Sequence, residues 1–227
     1  STDSPNNPNY TRSYGYSVEP TTHTGLLMTY QLLDSLGLSA GIANTMGPTI
    51  NGRSTRAESH KTYMGSLAFT VPENAGFLAG STVYAGVIEG FGSDTEDQMN
   101  VYLGATMNTP ITGVKVGAAL DYVDDLVGVS GVNDARVYAG YVSFQATEKM
   151  SIHGRAEYAD VDDIYRTSDI FALTGTLQYD LWRNVLSRLE VRWDHNASGN
   201  ETFGGETVAD GPNKKNFYTI AANLVYK

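Results

Sequence analysis

The sequence predicts an all-β protein, an antiparallel transmembrane β-barrel of about twelve strands with short periplasmic turns and longer extracellular loops. Three observations carry that expectation. Segment after segment alternates apolar and polar residues with period two, which gives a strand one oily and one wet face. The wet faces hold ionised groups, and the oily faces hold aromatic residues near their ends, as strands standing between lipid and an aqueous interior do. The breaks between segments alternate between short and long.

Residues 1–9 are polar and rich in Asn and Pro, and read as a loose segment ahead of one barrel domain covering 10–227. Such a start is expected where a leader has been removed. A first strand is expected over 10–18, with Tyr10, Tyr14 and Tyr16 along it, ending at Glu19 and Pro20 because proline cannot donate to a ladder. In the second, Leu26, Met28, Tyr30 and Leu32 oppose Leu27, Thr29 and Gln31, and Asp34, Ser35 and Gly37 supply a tight turn. The third sets Leu36, Leu38, Ala40 and Ile42 outward. A polar connection over 44–60, with Gly47, Pro48, Asn51, Gly52 and Arg53, leads to the fourth, where Tyr63, Gly65, Leu67, Phe69 and Val71 face out until Pro72. The fifth, over 81–91, is apolar on both faces; Tyr84, Gly86 and Ile88 face lipid if Val83, Ala85, Val87 and Glu89 line the inside.

The sixth strand presents Met99, Val101, Leu103, Ala105 and Met107, and the seventh Val114, Val116, Ala118, Leu120 and Tyr122. After a polar connection through Asp124, Asp125 and Asn133, the eighth turns Tyr138, Gly140, Val142 and Phe144 outward. The ninth does so with Met150, Ile152, Gly154, Ala156 and Tyr158, and the tenth with Phe171, Leu173, Gly175, Leu177, Tyr179 and Leu181. Leu189, Val191 and Trp193 oppose Arg188, Glu190, Arg192 and Asp194 in the eleventh, and Tyr218, Ile220, Ala222, Leu224 and Tyr226 mark the twelfth. Short breaks are expected at Asp34, Pro110, Thr147 and Arg183, an intermediate one over 72–80, and longer ones over 44–60, 90–96, 124–134, 160–168 and 195–215.

Composition narrows the function. No run approaches the roughly 18 apolar residues of a membrane-spanning helix. The net charge of -10 argues against nucleic acid, which calls for a basic surface. With no cysteine, disulfides and thiolate metal sites are excluded. A mean hydropathy of -0.26 fits a soluble domain and a barrel alike, since every second barrel residue faces water.

The run from Tyr10 through Thr11, Arg12, Ser13 and Tyr14 to Gly25, the stretch Arg188-Leu-Glu-Val-Arg-Trp-Asp-His, and the closing Phe217-Tyr-Thr-Ile-Ala-Ala-Asn-Leu-Val-Tyr resemble the OmpL-like family of bacterial outer-membrane β-barrel porins. The resemblance implies a pore in the bacterial outer membrane, in contact with outer-membrane lipid, and brings no catalytic residues with it. Barrels of this kind commonly close on an aromatic residue, whereas Lys227 follows Tyr226, as a longer parent chain would explain.

Lys115, Asp121, His153, Arg155, Glu157, Arg188, Glu190, Arg192 and Asp194 are the candidates to line a lumen, because rings of charged side chains set ion selectivity in pores. Two expectations follow: passive diffusion of small hydrophilic solutes or ions, or a narrow barrel filled by cross-paired charges that serves as a structural or docking part of an envelope assembly. A homo-oligomer or an envelope protein partner is compatible with either. Tyr63, Tyr122, Tyr158, Tyr179, Trp193, Tyr218 and Tyr226 are candidates for aromatic girdles at the lipid interfaces.

No enzyme, cofactor or metal site is expected. Asp121, Asp124 and Asp125, and likewise Asp160, Asp162 and Asp163, lack the spacing of a calcium loop and read as solvated loop charges. His23, His60, His153 and His195 lack zinc-ligand spacing, and no nucleophile or phosphate motif is present. The sequons at Asn9, Asn196 and Asn200 read as chance matches.

Overall fold

The computed structural model describes residues 6–47, 49–52, 60–91, 97–124, 132–163, 167–204 and 211–226. Pro48, Arg53, Asp125 and Lys227 lie outside these residues, as do the side chains of Asn133 and Asp163. Eleven strands follow one another in a single sheet, each hydrogen-bonded to its neighbour in sequence. They are β1 (Gly25–Leu33), β2 (Leu36–Ala43), β3 (Thr62–Thr70), β4 (Thr82–Phe91), β5 (Asp97–Asn108) and β6 (Val114–Asp124). The series continues with β7 (Val132–Gln145), β8 (Met150–Asp163), β9 (Thr167–Trp182), β10 (Val185–Asn196) and β11 (Asn216–Tyr226). Every pairing is antiparallel, and among the described residues β1 and β11 are not paired with each other.

The register turns the period-two pattern into continuous rows. Val114, Phe144, Ile152, Leu177 and Leu189 stand side by side on five consecutive strands. One residue further along each strand, Lys115, Ser143, His153, Thr176 and Glu190 form a matching row on the other face. Leu177 and Leu189 are 43% and 52% exposed, whereas Thr176 and Glu190 are 2% and 0% exposed. Among the described residues the buried set contains more polar and charged side chains than apolar ones. A soluble sandwich has the reverse arrangement, with its apolar faces meeting across two layers. The fold is thus a β-barrel-type antiparallel sheet, greasy outside and polar inside.

Three expectations are corrected. Residues 10–18 form no strand, and eleven strands are present among the described residues, in keeping with the about twelve expected. In place of the expected first strand is a short helix α1 (Tyr14–Val18), capped by Ser13, whose Oγ accepts the Tyr16 N–H at 3.1 Å. The physical reason is that Glu190 and Glu157 take the N–H groups of Tyr10, Thr11 and Tyr14, which a neighbouring strand would otherwise bind, and Arg12 adds a weak local signal. Arg12 shares parity with Tyr10, Tyr14 and Tyr16, so a spanning strand would have put its guanidinium on the lipid side.

The faces of β4 are also opposite to those expected. Val83, Ala85 and Val87 pair with the outward Ala105, Leu103 and Val101, while Tyr84 pairs with the inward Gly104. Glu89 is therefore outward, but it lies near the long-connection end of β4, where a charge costs little compared with the bilayer midplane. Tyr102 lies folded over Gly104 on the inner face, where any Cβ would collide with its ring.

Finally, the connections do not divide cleanly by length. Strands β4 and β8 run on to Phe91 and Asp163, and β9 begins at Thr167, which shortens two of the expected long loops. Fourteen residues in β8 and sixteen in β9 exceed the roughly 9–11 needed to cross a bilayer, so that hairpin stands clear of the hydrocarbon at one end.

Candidate functional site

The densest chemistry lies on the inner face of β8, β9 and β10. Strand periodicity puts Arg188, Glu190, Arg192 and Asp194 on one face of β10 with alternating charge, and Arg155 and Glu157 on the same face of β8. Between them β9 contributes the small side chains of Ala172, Thr174 and Thr176. Arg155, Thr174 and Arg192 make one row across the three strands, and Glu157, Ala172 and Asp194 make the next. Cationic and anionic rows thus alternate along the strand direction.

These side chains are buried and paired. Arg155 Nε lies 2.7 Å from Glu157 Oε2, with 2% and 0% of the two side chains exposed. The atoms make a close ion pair without hydrogen-bond alignment. Arg192 donates from Nε to Asp194 at 2.9 Å and approaches Glu157 at 4.0 Å. A buried ion pair is held in place only where the remaining donors and acceptors are also satisfied, and here the partner that satisfies them is the chain's own amino-terminal segment.

Residues 9–19 lie against this face, gripped largely through the main chain. Glu190 accepts the consecutive N–H groups of Tyr10 and Thr11, at 2.6 and 2.9 Å. Glu157 accepts the Tyr14 N–H at 2.7 Å, and Asp194 accepts the Tyr14 hydroxyl at 2.8 Å. From the other sign, Arg155 donates to the Thr11 carbonyl at 2.9 Å and the Arg12 carbonyl at 3.1 Å, and Arg192 donates to the Arg12 carbonyl at 2.8 Å. Asn9 donates its amide to Thr176 Oγ1 at 2.8 Å, and that hydroxyl in turn donates to Glu190 at 2.8 Å. Arg192 also lies over the Tyr14 ring, 4.8 Å from its centroid.

The same short segment reaches distant strands. Gly15 presses on β6 so closely that a Cβ there would strike the Asp121 carboxylate, and Asn100 of β5 donates to the Val18 carbonyl at 2.8 Å. Strands β6 and β10 are four spacings apart, about 19 Å in a flat sheet. Tyr14 and Gly15, adjacent in sequence, touch both. The sheet is therefore curved around the segment. Beside it remains a cavity of about 500 Å3, bounded by Arg12 and Glu19 of the segment and by Tyr102, Lys115, Tyr141 and His153 of the sheet.

All nine charged or histidine candidates lie on the inner face. Arg155, Glu157, Glu190, Arg192 and Asp194 are brought together around residues 9–14, and Asp121 meets Gly15. Arg188 stands apart on Gln178 at 3.1 Å, and His153 bridges Ser143 and Ser151 at 2.9 and 3.2 Å. Lys115 is exposed, with no ion pair among the described residues. Sequence reasoning misses Asn9, Tyr14, Asn100, Thr174 and Thr176, whose polar groups are commonplace until the segment is placed against them.

The seven aromatic candidates all lie on the outer face, in two groups. Tyr179 and Tyr226 sit near the short turns, whereas Tyr63, Tyr122, Tyr158, Trp193 and Tyr218 sit near the longer connections. Trp193 donates to Asn216 at 3.0 Å and meets Phe171 edge-on at 6.0 Å between centroids. Asp121 and Asp124 differ by an odd number of residues and so point to opposite faces, which divides the first acidic cluster. Among the described residues no group of three or more acidic or histidine side chains could hold a metal ion.

The family profile described as "Putative beta-barrel porin-2, OmpL-like" matches residues 1–226. Of solved structures, an anion-selective porin from Comamonas acidovorans superposes with a TM-score of 0.61 at 13% identity, covering 88% of this chain and 58% of that one. OmpT, an outer membrane protein of Vibrio cholerae, superposes with a TM-score of 0.55 at 15% identity, covering 89% of this chain and 64% of that one. A porin refined at 1.8 Å gives a TM-score of 0.52 at 19% identity, with coverages of 89% and 60%. The chain thus spans about three-fifths of the length of these porins, and at such identities the likeness is one of fold. A search of curated proteins returns no match.

Proposed function

We propose that this chain, which belongs to the OmpL-like family of β-barrel porins and lies in the bacterial outer membrane with lipid against its apolar face, forms a narrow channel for passive diffusion of small hydrophilic solutes or ions. The observation that carries this reading is the charged inner face of β8–β10, with a cavity of about 500 Å3 left beside residues 9–19. In this reading the nine inner candidates line or narrow the path, and the seven outer aromatics anchor the two interfaces.

The eight ionised candidates on the inner face carry four positive and four negative charges, from Lys115, Arg155, Arg188 and Arg192 against Asp121, Glu157, Glu190 and Asp194. Weak selectivity between small cations and anions is therefore expected. Lys115, exposed and without an ion-pair partner among the described residues, is the group whose charge an ion in transit would feel most directly. Lys115→Glu is expected to move the zero-current potential across a salt gradient toward cation preference, and an unchanged potential would remove Lys115 from the path.

The seated segment favours a second reading, an occluded barrel serving as a structural or docking component, with a second copy or another envelope protein as partner. Reconstitution in planar bilayers separates the two. Stable single-channel steps, smaller than those of a sixteen-stranded general porin in the same salt, are expected of the channel. Folded protein that inserts and never conducts is what the structural component would give.

A further inference from the structure

We infer that residues 9–19 are a tethered, releasable plug that sets the width of the channel, with Glu190, Glu157, Arg155 and Arg192 as its latch. The inference rests on the channel reading above. Three observations point to a latch rather than to an ordinary piece of the wall. First, among the described residues the segment is outside the sheet's hydrogen-bond ladder, and side chains of the wall hold it. Glu190 and Glu157 take its N–H groups, and Arg155 and Arg192 give to its carbonyls. Release therefore breaks no strand pairing, and the eleven-stranded sheet stays whole.

Second, every latch residue keeps a partner when the segment leaves. Arg155 retains Glu157, Arg192 retains Asp194, and Glu190 retains Thr176. The inner face that would then be wetted is already polar, so water can replace the lost contacts. Buried groups so arranged can exist in two states, because neither state leaves a charge without compensation.

Third, the segment has a length of chain to move on. Residues 19–24 join α1 to β1 without secondary structure, and Pro20 interrupts them. Among the described residues, Asn9 at the far end meets Thr176 and Val18 at the linker end meets Asn100. In the seated state the passage is the cavity on the β5–β8 side; with the segment withdrawn, the face of β8–β10 joins it.

The absence of cysteine in the chain makes a cross-link test direct. In N9C/T176C the two new thiols replace side chains that touch at 2.8 Å. Oxidation of the folded protein in detergent is expected to form the disulfide. In bilayers the oxidised form should show only the small step, and reductant should restore excursions to a larger one. Glu190→Gln keeps the shape and removes the charge that accepts two N–H groups. It should raise the fraction of time in the larger state by about tenfold, the change expected from weakening one charge-assisted hydrogen bond.

Failure of the disulfide to form in folded protein would overturn the seating of the segment. Identical conductance and gating in the oxidised, reduced and Glu190→Gln forms would overturn the plug while leaving the channel intact. Silence of every form after the disulfide has been shown to form would instead bring down the channel reading, and the plug with it.

Discussion

Arg155→Ala is expected to lower the stability of the folded protein by about 3–5 kcal/mol, the usual consequence of removing one partner of a buried ion pair. The side chain is 2% exposed against a fully buried Glu157, so the substitution leaves a carboxylate with its closest cation gone and Arg192 4.0 Å away. It also removes the Arg155 donor from the Thr11 carbonyl and leaves the Arg12 carbonyl with Arg192 alone of the two. A second change, Glu157→Gln, should restore part of the loss, because the uncompensated charge is then absent. Urea unfolding in lipid vesicles, with both single variants and the double variant, measures the coupling. A double variant no more stable than Arg155→Ala would show that the penalty comes from the lost contacts to the segment rather than from the stranded charge.

Leu177→Arg is expected to cost roughly 2–4 kcal/mol, the penalty for a cation near the bilayer midplane on a barrel's lipid face. Leu177 lies in the outward row between Ile152 and Leu189. Leu103, in the outward row between Ala85 and Leu120, should respond alike. The contrast is with Gln178, one residue along and on the inner face beside Arg188 and Ser151. Gln178→Arg puts the same cation in a polar setting and should leave insertion intact. Folding yield into vesicles, followed by the mobility shift between folded and unfolded forms, reads all three. Equal losses at 177 and 178 would mean that the two faces do not differ as the register places them.

The fold was legible wherever both faces of a strand speak. In β10, Leu189, Val191 and Trp193 against Arg188, Glu190, Arg192 and Asp194 admit one orientation only, because a strand shifted by one residue would hand four charges to lipid. Strand β4 offers no such contrast. Its sole charge, Glu89, lies near an end where either face is tolerable, and its orientation is fixed by pairing with β3 and β5 instead. That information is non-local, and no period within ten residues holds it.

The site was half legible. The charges of β8 and β10 announce a polar interior, but what they hold does not follow from their alternation. Tyr10, Tyr14 and Tyr16 mimic a strand, and two weak signals oppose that reading: Arg12 at their parity, and Ser13 placed to cap the turn that Tyr14 begins. The deciding contacts join positions more than 140 residues apart, Tyr14 with Glu157 and Tyr10 with Glu190. Only the folded sheet brings them together.

The medium outside β9 decides whether the apolar rows face lipid. Single nitroxide labels placed from 171 to 179 on the cysteine-free chain, in lipid vesicles, would report collision with oxygen, which concentrates in hydrocarbon. Labels at 171, 173, 175, 177 and 179 should show high oxygen contact and those at 172, 174, 176 and 178 low contact, alternating residue by residue. A flat profile, or one with the two sets exchanged, would contradict a lipid-facing outer surface and the channel built upon it.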